Sequence, residues 1–429
     1  MKVFFHTLGC KVNQYETQEM LELLKKNGYE IAENEQEADI FVINSCTVTA
    51  ESDRKTRQSV RHYKAKYPNS VVVLTGCMPQ SFPEKARELI EADIVLGNRK
   101  NLSITEALDE FFRCHGRVLN MQEHLSGEPL YSLGIESFEE RTRAILKIED
   151  GCDRFCSYCI IPKARGRVRS KPLEDIKKEA KSLTENGYRE LVLVGINLSA
   201  YGKGSEYDLV DAVFAAAESE KAVRVRLGSL EPDHLTDELI EKLARCKKLC
   251  PQFHISLQSG CDSTLKRMNR HYTAEEYALL CKKLRESFKD CTLTTDIMVG
   301  FPAETEEDFN KTAEFAEKIG FEKIHIFPYS RRSGTPADKM DMQITRSEKA
   351  KRVAILGNTA EKIRTEFLKS QIGRTVDVLI EGKEKCGQMF GYTPNYTPVK
   401  ITGKGEIGKI ARVIITGSDT EYCIGEIVG

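Results

Sequence analysis

Three cysteines stand close together in the middle of the chain: Cys152, Cys156 and Cys159, in the segment GCDRFCSYC. Their spacing is C-x3-C-x2-C, and the next cysteine is Cys246. A zinc knuckle or a ferredoxin loop would need a fourth ligand nearby. Three thiolates on a four-iron cluster instead leave one iron open to a ligand that is not protein. Three structural cysteines in a loop are the alternative; the spacing, directly after a predicted strand, favours the cluster.

A second set of cysteines is dispersed: Cys10, Cys46 and Cys77 each follow a predicted strand. Their separations match no local metal motif. In a parallel sheet, however, the carboxyl ends of adjacent strands lie at one edge, only about 5 Å apart. Gly9 and Gly76 would allow close backbone approach there. Topology alone leaves two possibilities open, convergence on one metal site or buried thiols at strand ends.

The elements that must position these cysteines alternate between strand and helix. Residues 1–113 predict a parallel α/β sheet domain, and residues 114–137 predict a linker. Residues 138–368 predict a partial (β/α)6 barrel with functional residues at the carboxyl ends of its strands. Residues 371–429 predict a small all-β barrel. The strand candidates are 2–8, 39–45, 71–75 and 93–96, then 144–148, 191–194, 223–227, 253–257, 293–298 and 324–328, and finally 376–381, 396–401 and 411–416.

The composition limits the class of protein. The 429 residues carry a net charge of −1, which excludes a globally basic nucleic-acid binder. No apolar run reaches the roughly 18 residues of a membrane span, and the start lacks the features of a signal peptide. We therefore expect a cytoplasmic protein without membrane contact, in which 14 cysteines form no disulfide framework. Eight cysteines are predicted to be ordinary, partly buried thiols: residues 114, 246, 250, 261, 281, 291, 386 and 423.

The central motif, with aromatic Tyr158 beside Cys159, resembles that of the radical S-adenosylmethionine (radical-SAM) enzymes. The resemblance implies that the open iron binds the amino and carboxylate groups of SAM. It also implies that the reduced cluster splits SAM into methionine and a 5′-deoxyadenosyl radical. The partial barrel of that superfamily agrees with the six predicted strands.

The segments LGCKVNQYE, NSCTV and TGC around Cys10, Cys46 and Cys77 resemble the three cysteine boxes of the methylthiotransferases. The resemblance covers essentially the whole chain, including a carboxyl-terminal TRAM module. It implies an auxiliary four-iron cluster, and so two [4Fe-4S] clusters with SAM as cofactor. The GCKVNQ form of the first box resembles the subgroup that acts on N6-threonylcarbamoyladenosine in tRNA.

Five residues near strand ends are predicted to bind SAM, which lies across the carboxyl ends of the strands in radical-SAM barrels. They are Gly195, Asn197, Arg226, Ser229 and Gln258. Glycine would let the backbone meet the methionine amino group; a simple strand-ending turn is the alternative.

Four residues are predicted to bind substrate. Asp296 is acidic within an apolar strand, which requires a partner, either structural or substrate. Arg332 lies in a family-like segment near the sixth strand. Arg165 and Arg167 belong to residues 141–171, which hold nine Lys or Arg and three Asp or Glu, a net charge of +6. A second basic run covers residues 54–66. Either run could contact a phosphate backbone or form an ordinary solvated face; residues 371–429 are net neutral, so RNA binding there follows from the resemblance alone.

The sequence thus predicts a tRNA methylthiotransferase with catalytic and metal-binding cysteines at 152, 156 and 159 and further metal ligands at 10, 46 and 77. By resemblance, one SAM supplies the methyl group and another the radical, and the product is 2-methylthio-N6-threonylcarbamoyladenosine at position 37 of tRNA. A low-potential electron donor and a sulfur source are the other expected partners. The alternatives are the same chemistry on isopentenyladenosine tRNA or on an aspartate of a ribosomal protein, and a non-catalytic RNA-binding iron–sulfur protein.

Overall fold

The computed structural model describes residues 1–138, 141–384 and 387–428. Its strands are β1 (Lys2–Thr7), β2 (Glu30–Ile31), β3 (Ile40–Ser45), β4 (Val71–Gly76), β5 (Ile94–Leu96), β6 (Val118–Asn120), β7 (Arg143–Lys147), β8 (Glu149–Asp150), β9 (Arg169–Ser170), β10 (Glu190–Val194), β11 (Arg224–Leu227), β12 (Ser229–Leu230), β13 (Gln252–Ile255), β14 (Thr292–Val299), β15 (Lys323–Pro328), β16 (Thr375–Lys383), β17 (Met389–Tyr392), β18 (Pro398–Thr402), β19 (Ile410–Ser418) and β20 (Cys423–Ile427). Its α-helices are α1 (Lys11–Lys26), α2 (Ala50–Lys66), α3 (Cys77–Ser81), α4 (Pro83–Arg87), α5 (Ile104–Cys114), α6 (Ile161–Arg165), α7 (Leu173–Glu185), α8 (Leu209–Ala217), α9 (Asp237–Leu243), α10 (Asp262–Arg267), α11 (Ala274–Ser287), α12 (Glu306–Ile319) and α13 (Arg346–Ser370). Short 3-10 helices cover Glu35–Glu37, Asn98–Ser103, Leu198–Ala200, Pro232–His234 and Pro336–Lys339.

The chain divides into two compact units. The first contains Met1–Ser137, Glu149–Lys171 and Ser330–Asp338. The second contains Phe138–Ile148, Pro172–Tyr329 and Lys339–Gly429. The division differs from the predicted domain boundaries, because the central cysteine segment packs within the first unit although it falls inside the predicted barrel range.

The first unit is built on a parallel sheet of order β2-β1-β3-β4-β5-β6. Strands β3 and β4 are buried along their whole length, as expected when helices cover both faces of a parallel sheet. Ile40 and Val42 pack on one face with Leu24 of α1, whereas Phe41 packs on the other with Val60 of α2. This arrangement confirms the predicted sheet domain, and it brings the carboxyl ends of β1, β3 and β4 side by side.

The second unit contains the barrel strands and a separate closed barrel. The barrel strands form two parallel sheets, of order β11-β10-β7 and β12-β13-β14-β15. Strands β16-β17-β18-β20-β19 close into the carboxyl-terminal barrel, which confirms the predicted all-β domain. Among the described residues, no helix has the length and apolar composition needed to cross a membrane.

The sequence missed several strands. Strands β2 and β6 are the edges of the first sheet and have two and three residues, too few for a periodic pattern. Strand β6 lies inside the predicted linker, so that segment is part of the sheet domain. Strands β17 and β20 of the carboxyl-terminal barrel are also absent from the predicted strands.

Candidate functional site

The structure brings Cys10, Cys46 and Cys77 together at the carboxyl edge of the first sheet. Cys46 follows β3 directly, and Cys77 begins α3 after β4. The thiol of Cys10 lies 3.6 Å from Asn13 Oδ1, and the thiol of Cys77 lies 4.0 Å from the same oxygen. A Cβ placed on Gly9 would lie 2.8 Å from Cys46 Cβ. The dispersed cysteines therefore share one small region, as convergence of the strand ends requires.

Glycine is required at this edge for two separate reasons. Gly9 and Gly76 have φ values of 113° and 97°, in the region that favours glycine. A Cβ on Gly76 would also lie 2.5 Å from Asn44 Oδ1. Any side chain at either position would push the backbone away from the neighbouring strand end, and with it the adjacent cysteine.

Asn13 is the centre of the polar contacts around these thiols. Its side-chain amide donates to the carbonyl oxygens of Leu8 (3.0 Å) and Ser45 (2.9 Å), which ties α1 to two strand ends. Its Oδ1 accepts a 2.8 Å hydrogen bond from Arg165 Nη2. Asn13 is buried and was not singled out from the sequence, although its place three residues after Cys10 in a helix puts it beside that thiol.

Arg165 is fully buried, and its charge is balanced within the protein. Its Nη1 pairs with Glu16 (2.5 Å) and with Asp150 (3.2 Å). The guanidinium therefore joins α1 to the segment that carries the central cysteines. The predicted contact of Arg165 with substrate remains untested. Burial argues against it, because the side chain has no exposed surface.

The two interior thiols are shielded from water. Burial raises the pKa of Cys77 to about 12, and the pKa of Cys46 is also raised, chiefly by burial. A thiol must lose its proton to bind a metal, so metal binding here would release protons. Within the described ranges, no three His, Cys, Asp or Glu side chains meet closely enough to hold a single metal ion. A cubane cluster needs a wider arrangement, since its ligands are spaced by the width of the cluster, and three thiols around one small region suit it.

The central cysteine segment forms a compact loop between β8 and α6. The amide of Cys152 donates to the Gly166 carbonyl (3.0 Å), and the amide of Cys159 donates to the Cys156 carbonyl (2.9 Å). Gly151 has a φ of 95°, and a Cβ there would lie 1.9 Å from the Arg167 carbonyl oxygen. The loop thus carries three cysteines within eight residues, and backbone hydrogen bonds hold its conformation.

The two cysteine sets belong to the same compact unit. Helix α3, which begins at Cys77, packs against helix α6, which begins two residues after Cys159. Asn98 Nδ2 donates to the Ala164 carbonyl in α6 (2.8 Å) and lies 3.8 Å from Cys77 Sγ. This contact could not be predicted from the sequence, because Asn98 lies 21 residues from Cys77 and 66 from Ala164.

Three of the predicted SAM-binding residues lie at carboxyl ends of strands in the second unit. Gly195 follows β10, and Asn197 is buried two residues later. Gln258 has a φ of 66°, and its backbone N–H donates to the Asp296 carbonyl (2.8 Å). In the described part of the chain, Oε1 of this buried Gln258 has no hydrogen-bond partner. Their binding of SAM remains a prediction, as does that of Ser229, which is exposed on β12.

Arg226 lies elsewhere, which corrects the expected position. Its guanidinium pairs with Glu190 (2.6 Å) and lies 3.3 Å from Gln252 Oε1. Glu190 and Gln252 are the first residues of β10 and β13, so the side chain points to the amino-terminal ends of the strands. A cofactor contact at the carboxyl ends does not fit this position.

Asp296 has a structural partner and remains partly accessible. Its Oδ2 lies 3.2 Å from His254 Nε2, and His254 Nδ1 lies 3.0 Å from Thr294 Oγ1. The ring of His325 is 5.7 Å from that of His254. These side chains form a polar group on β13, β14 and β15, so a structural partner for Asp296 is present and substrate contact stays a prediction.

The other two predicted substrate residues differ in exposure. Arg332 is buried, pairing with Asp53 (2.9 Å) and donating to Thr47 Oγ1 (2.8 Å). The Arg167 side chain is 59% exposed and lies 4.7 Å from the centre of the Phe155 ring. Arg167 pairs with Asp153 at 3.3 Å and its binding of substrate stays a prediction, whereas Arg332 fixes the segment after β15 to the loop after β3.

The basic runs are less free than their sequence suggests. In 141–171, three of the nine basic side chains are buried: Lys147, Arg165 and Lys171. On α2, ion pairs join Arg54 to Glu51, Arg61 to Glu91, Lys64 to Asp93 and Lys66 to Glu35. Four of the six basic side chains in residues 54–66 thus have acidic partners, and three of these partners are remote in sequence.

Most of the remaining cysteines are buried or partly buried, as predicted for ordinary thiols. Five are buried, namely Cys246, Cys250, Cys261, Cys281 and Cys423, and Cys291 is partly buried. Cys114 is exposed because it is the last residue of α5. Cys386 lies outside the described residues.

Comparison with known proteins gives the chain a family. Three family models match it: the Radical SAM superfamily over residues 146–316, the Uncharacterized protein family UPF0004 over residues 2–97, and the TRAM domain over residues 369–428. The fold also resembles that of the radical S-adenosylmethionine methyltransferase TsrM from Kitasatospora setae, with a TM-score of 0.56 and 14% identity, covering 78% of this chain and 76% of that one.

Relatives match over the full length. The Threonylcarbamoyladenosine tRNA methylthiotransferase MtaB of Bacillus subtilis (strain 168) is 38% identical over 99% of this chain and 96% of its own length. The tRNA-2-methylthio-N(6)-dimethylallyladenosine synthase of Clostridium botulinum (strain Alaska E43 / Type E3) is 35% identical over 99% of this chain and 95% of its own. With an amino-terminal parallel sheet, a radical-SAM segment and a TRAM barrel in this order, the chain is a radical-SAM transferase that belongs to the methylthiotransferase family.

Proposed function

We propose that this enzyme places a methylthio group on carbon 2 of N6-threonylcarbamoyladenosine at position 37 of tRNA. The observation that carries the proposal is the packing of α3 against α6, which joins the helix of Cys77 to the segment of Cys152, Cys156 and Cys159 in one compact unit. A sulfur-holding site and a radical-generating site must act on the same substrate carbon, so their residence in one unit is what the reaction requires. The relative named MtaB supports threonylcarbamoyladenosine as the substrate.

The residues present fit two [4Fe-4S] clusters. Cys152, Cys156 and Cys159 would hold the cluster that binds SAM, and Cys10, Cys46 and Cys77 would hold the auxiliary cluster. When bound, these groups and SAM supply the radical, sulfur and methyl chemistry that replaces an unactivated C–H hydrogen, which acid–base side chains do not provide.

The protein side of the mechanism is the positioning of the cysteines, of SAM and of the substrate. Arg165 and Asn13 hold the amino-terminal cysteines against the central segment. Cys46 and Cys77 are buried, whereas Cys10 is exposed. Asn197 and Gln258 are the proposed SAM contacts, and Arg167 with Asp296 the proposed substrate contacts. A low-potential electron donor, a sulfur source and a cytoplasmic location complete the proposal.

The modified-nucleoside profile of tRNA tests it. A strain that lacks the gene should lose 2-methylthio-N6-threonylcarbamoyladenosine and accumulate the unmodified threonylcarbamoyladenosine. The wild-type gene should restore the product, and the Cys152→Ala gene should not. Persistence of the product at its normal level would contradict the proposal.

The same profile separates the alternatives. Loss of 2-methylthio-isopentenyladenosine instead would assign the enzyme to the other tRNA substrate. The nucleosides could instead stay unchanged while the reduced, reconstituted protein forms 5′-deoxyadenosine. That result would favour a protein substrate. Absence of 5′-deoxyadenosine would leave a non-catalytic iron–sulfur protein.

A further inference from the structure

Asn98 is a buried amide in contact with one of the amino-terminal cysteines. It is the first residue of the 3-10 helix Asn98–Ser103, in the loop after β5. Its Nδ2 lies 3.8 Å from Cys77 Sγ, within the range of a hydrogen bond to sulfur. The same nitrogen donates to the Ala164 carbonyl at 2.8 Å. Because an amide nitrogen carries two hydrogens, one is available to each acceptor.

The orientation of this amide is fixed by its neighbours. A backbone carbonyl can only accept, so the atom that faces Ala164 must be the NH2 group. Oδ1 then faces His124 Nε2 at 3.0 Å, and that ring nitrogen must carry hydrogen. The amide cannot rotate without placing two acceptors together at Ala164, so its donor is directed at the Cys77 sulfur.

His124 is itself held rigidly. Its Nδ1 lies 2.6 Å from Glu128 Oε1 and 2.8 Å from Arg169 Nη1. A Cβ on Gly166 would lie 2.7 Å from His124 Cβ, so the histidine packs directly on the end of α6. Asn98 is therefore held in its position beside the Cys77 thiol by contacts with Ala164 and His124.

We propose that Asn98 is a positioning residue for the auxiliary cluster, donating a hydrogen bond to the Cys77 thiolate and raising the reduction potential of the cluster. The proposal rests on the proposed function, since it takes Cys77 as a cluster ligand. A hydrogen bond to a ligating sulfur draws electron density from it and stabilises the reduced cluster, which carries one more negative charge. His124 Nε2 donates to Asn98 Oδ1 and so holds the amide in this orientation.

The test is the midpoint potential of the auxiliary cluster, measured by redox titration with electron paramagnetic resonance. The full-length chain with Cys152→Ala, Cys156→Ala and Cys159→Ala, reconstituted with iron and sulfide, isolates that cluster. Adding Asn98→Leu, which keeps the approximate volume but removes the donor, should shift the midpoint potential to a more negative value and leave iron content unchanged. Asn101→Leu is the matched control, because Asn101 is buried to the same extent in the same short helix and has no hydrogen bond to sulfur among the described residues.

Each result decides the question. An unchanged potential in Asn98→Leu overturns the inference, as does an equal shift in Asn101→Leu. If Asn98→Leu loses iron, Asn98→Ser, which keeps a donor, is compared with Asn98→Ala, which lacks one; a lower potential in the alanine variant alone supports the inference, and equal potentials overturn it. If the parent protein binds no cluster, the auxiliary cluster of the proposed function fails instead.

Discussion

The guanidinium of Arg165 lies between two carboxylates, Glu16 and Asp150, with no exposure to solvent. A buried charge of this kind is tolerated only when its partners are in place. Arg167, two residues further along, is mostly exposed. The local charge density of the sequence does not distinguish the two residues. Only the fold shows that Arg165 is buried beside the cysteine site and that Arg167 lies at the surface, paired with Asp153.

Arg165→Met should destabilise the protein strongly. The substitution leaves Glu16 and Asp150 buried without their cation, which costs about 3 to 5 kcal/mol in comparable pairs. Urea unfolding of the purified chain measures the change in free energy of unfolding. Arg167→Met is the control and should change stability by less than about 0.5 kcal/mol. Equal stability of the two variants would show that the buried ion pairs do not matter.

The two cysteine sets should be separable by iron content. Anaerobically reconstituted wild-type protein should bind about eight irons, as two four-iron clusters require. Cys152→Ala should retain about four and lose all SAM cleavage, whereas Cys77→Ala should retain about four and keep some cleavage. Iron analysis and 5′-deoxyadenosine formation measure these outcomes. The buried Cys281→Ala is the control; full iron content in both test variants would refute the ligand assignment.

At the scale of elements, the site depends on sharp turns at strand ends. Gly76 ends β4 with a positive φ directly before Cys77, and Gly151, the residue after β8, has a positive φ directly before Cys152. Such turns can be predicted from the glycine–cysteine pairs and the strand pattern. The partners of the turns cannot, because the carbonyl that excludes a side chain at Gly151 belongs to Arg167, on the far side of the cysteine loop.

The start of β15 should make stability dependent on pH. Glu322, just before this strand, is buried and accepts a hydrogen bond from the Leu293 amide at the start of β14. Burial raises its pKa to about 7 from 4.5, so the folded protein binds its proton more tightly than the unfolded chain. The resulting stabilisation is complete below pH 4.5 and is lost as the pH rises through 7.

Between pH 5 and pH 8, this carboxyl should lower the free energy of unfolding by about 2 to 3 kcal/mol. Urea unfolding at both values, for the wild type and for Glu322→Gln, measures the effect. The amide keeps an acceptor for Leu293 but cannot ionise, so the variant should show a smaller fall in stability. The same fall in both proteins would mean that Glu322 does not titrate in this range.

At the scale of the molecule, the sequence predicts most of the fold, because long strands and helices carry their own periodicity. The parallel topology also allows Cys10, Cys46 and Cys77 to lie near one another, as they do, whereas the role of these cysteines and of Cys152, Cys156 and Cys159 as cluster ligands follows from the family resemblance and stays a prediction. The sequence misplaces Arg226 and does not reveal the burial of Arg332, because their partners are Glu190 and Asp53, each far away in the chain. Ion pairs between distant elements leave no local pattern.

Within the second unit, the same kind of pairing links the barrel strands to the carboxyl-terminal barrel. Arg143 pairs with Glu381 at 2.6 Å, and the ring of Tyr396 lies 4.7 Å from the Arg226 guanidinium carbon. Arg224 donates to the Asp377 carbonyl at 3.0 Å. Arginines on two barrel strands, β7 and β11, thus have partners in the TRAM barrel, so that barrel also contributes contacts to the second unit.

A chain that ends at Ser370 should therefore lose stability in addition to any loss of tRNA binding. Truncation leaves Arg143 and Arg224 without partners that they have in the intact unit, and loss of about 3 kcal/mol or more corresponds to a fall in melting temperature of about 10 °C for a unit of this size. Calorimetry of the truncated and full-length proteins measures the difference. Full-length Lys404→Ala, altered at an exposed position of the same barrel, is the control and should melt with the wild type. If the truncated chain melts at the wild-type temperature, the TRAM barrel is a separate module and the arginine contacts add nothing to the stability of the barrel strands.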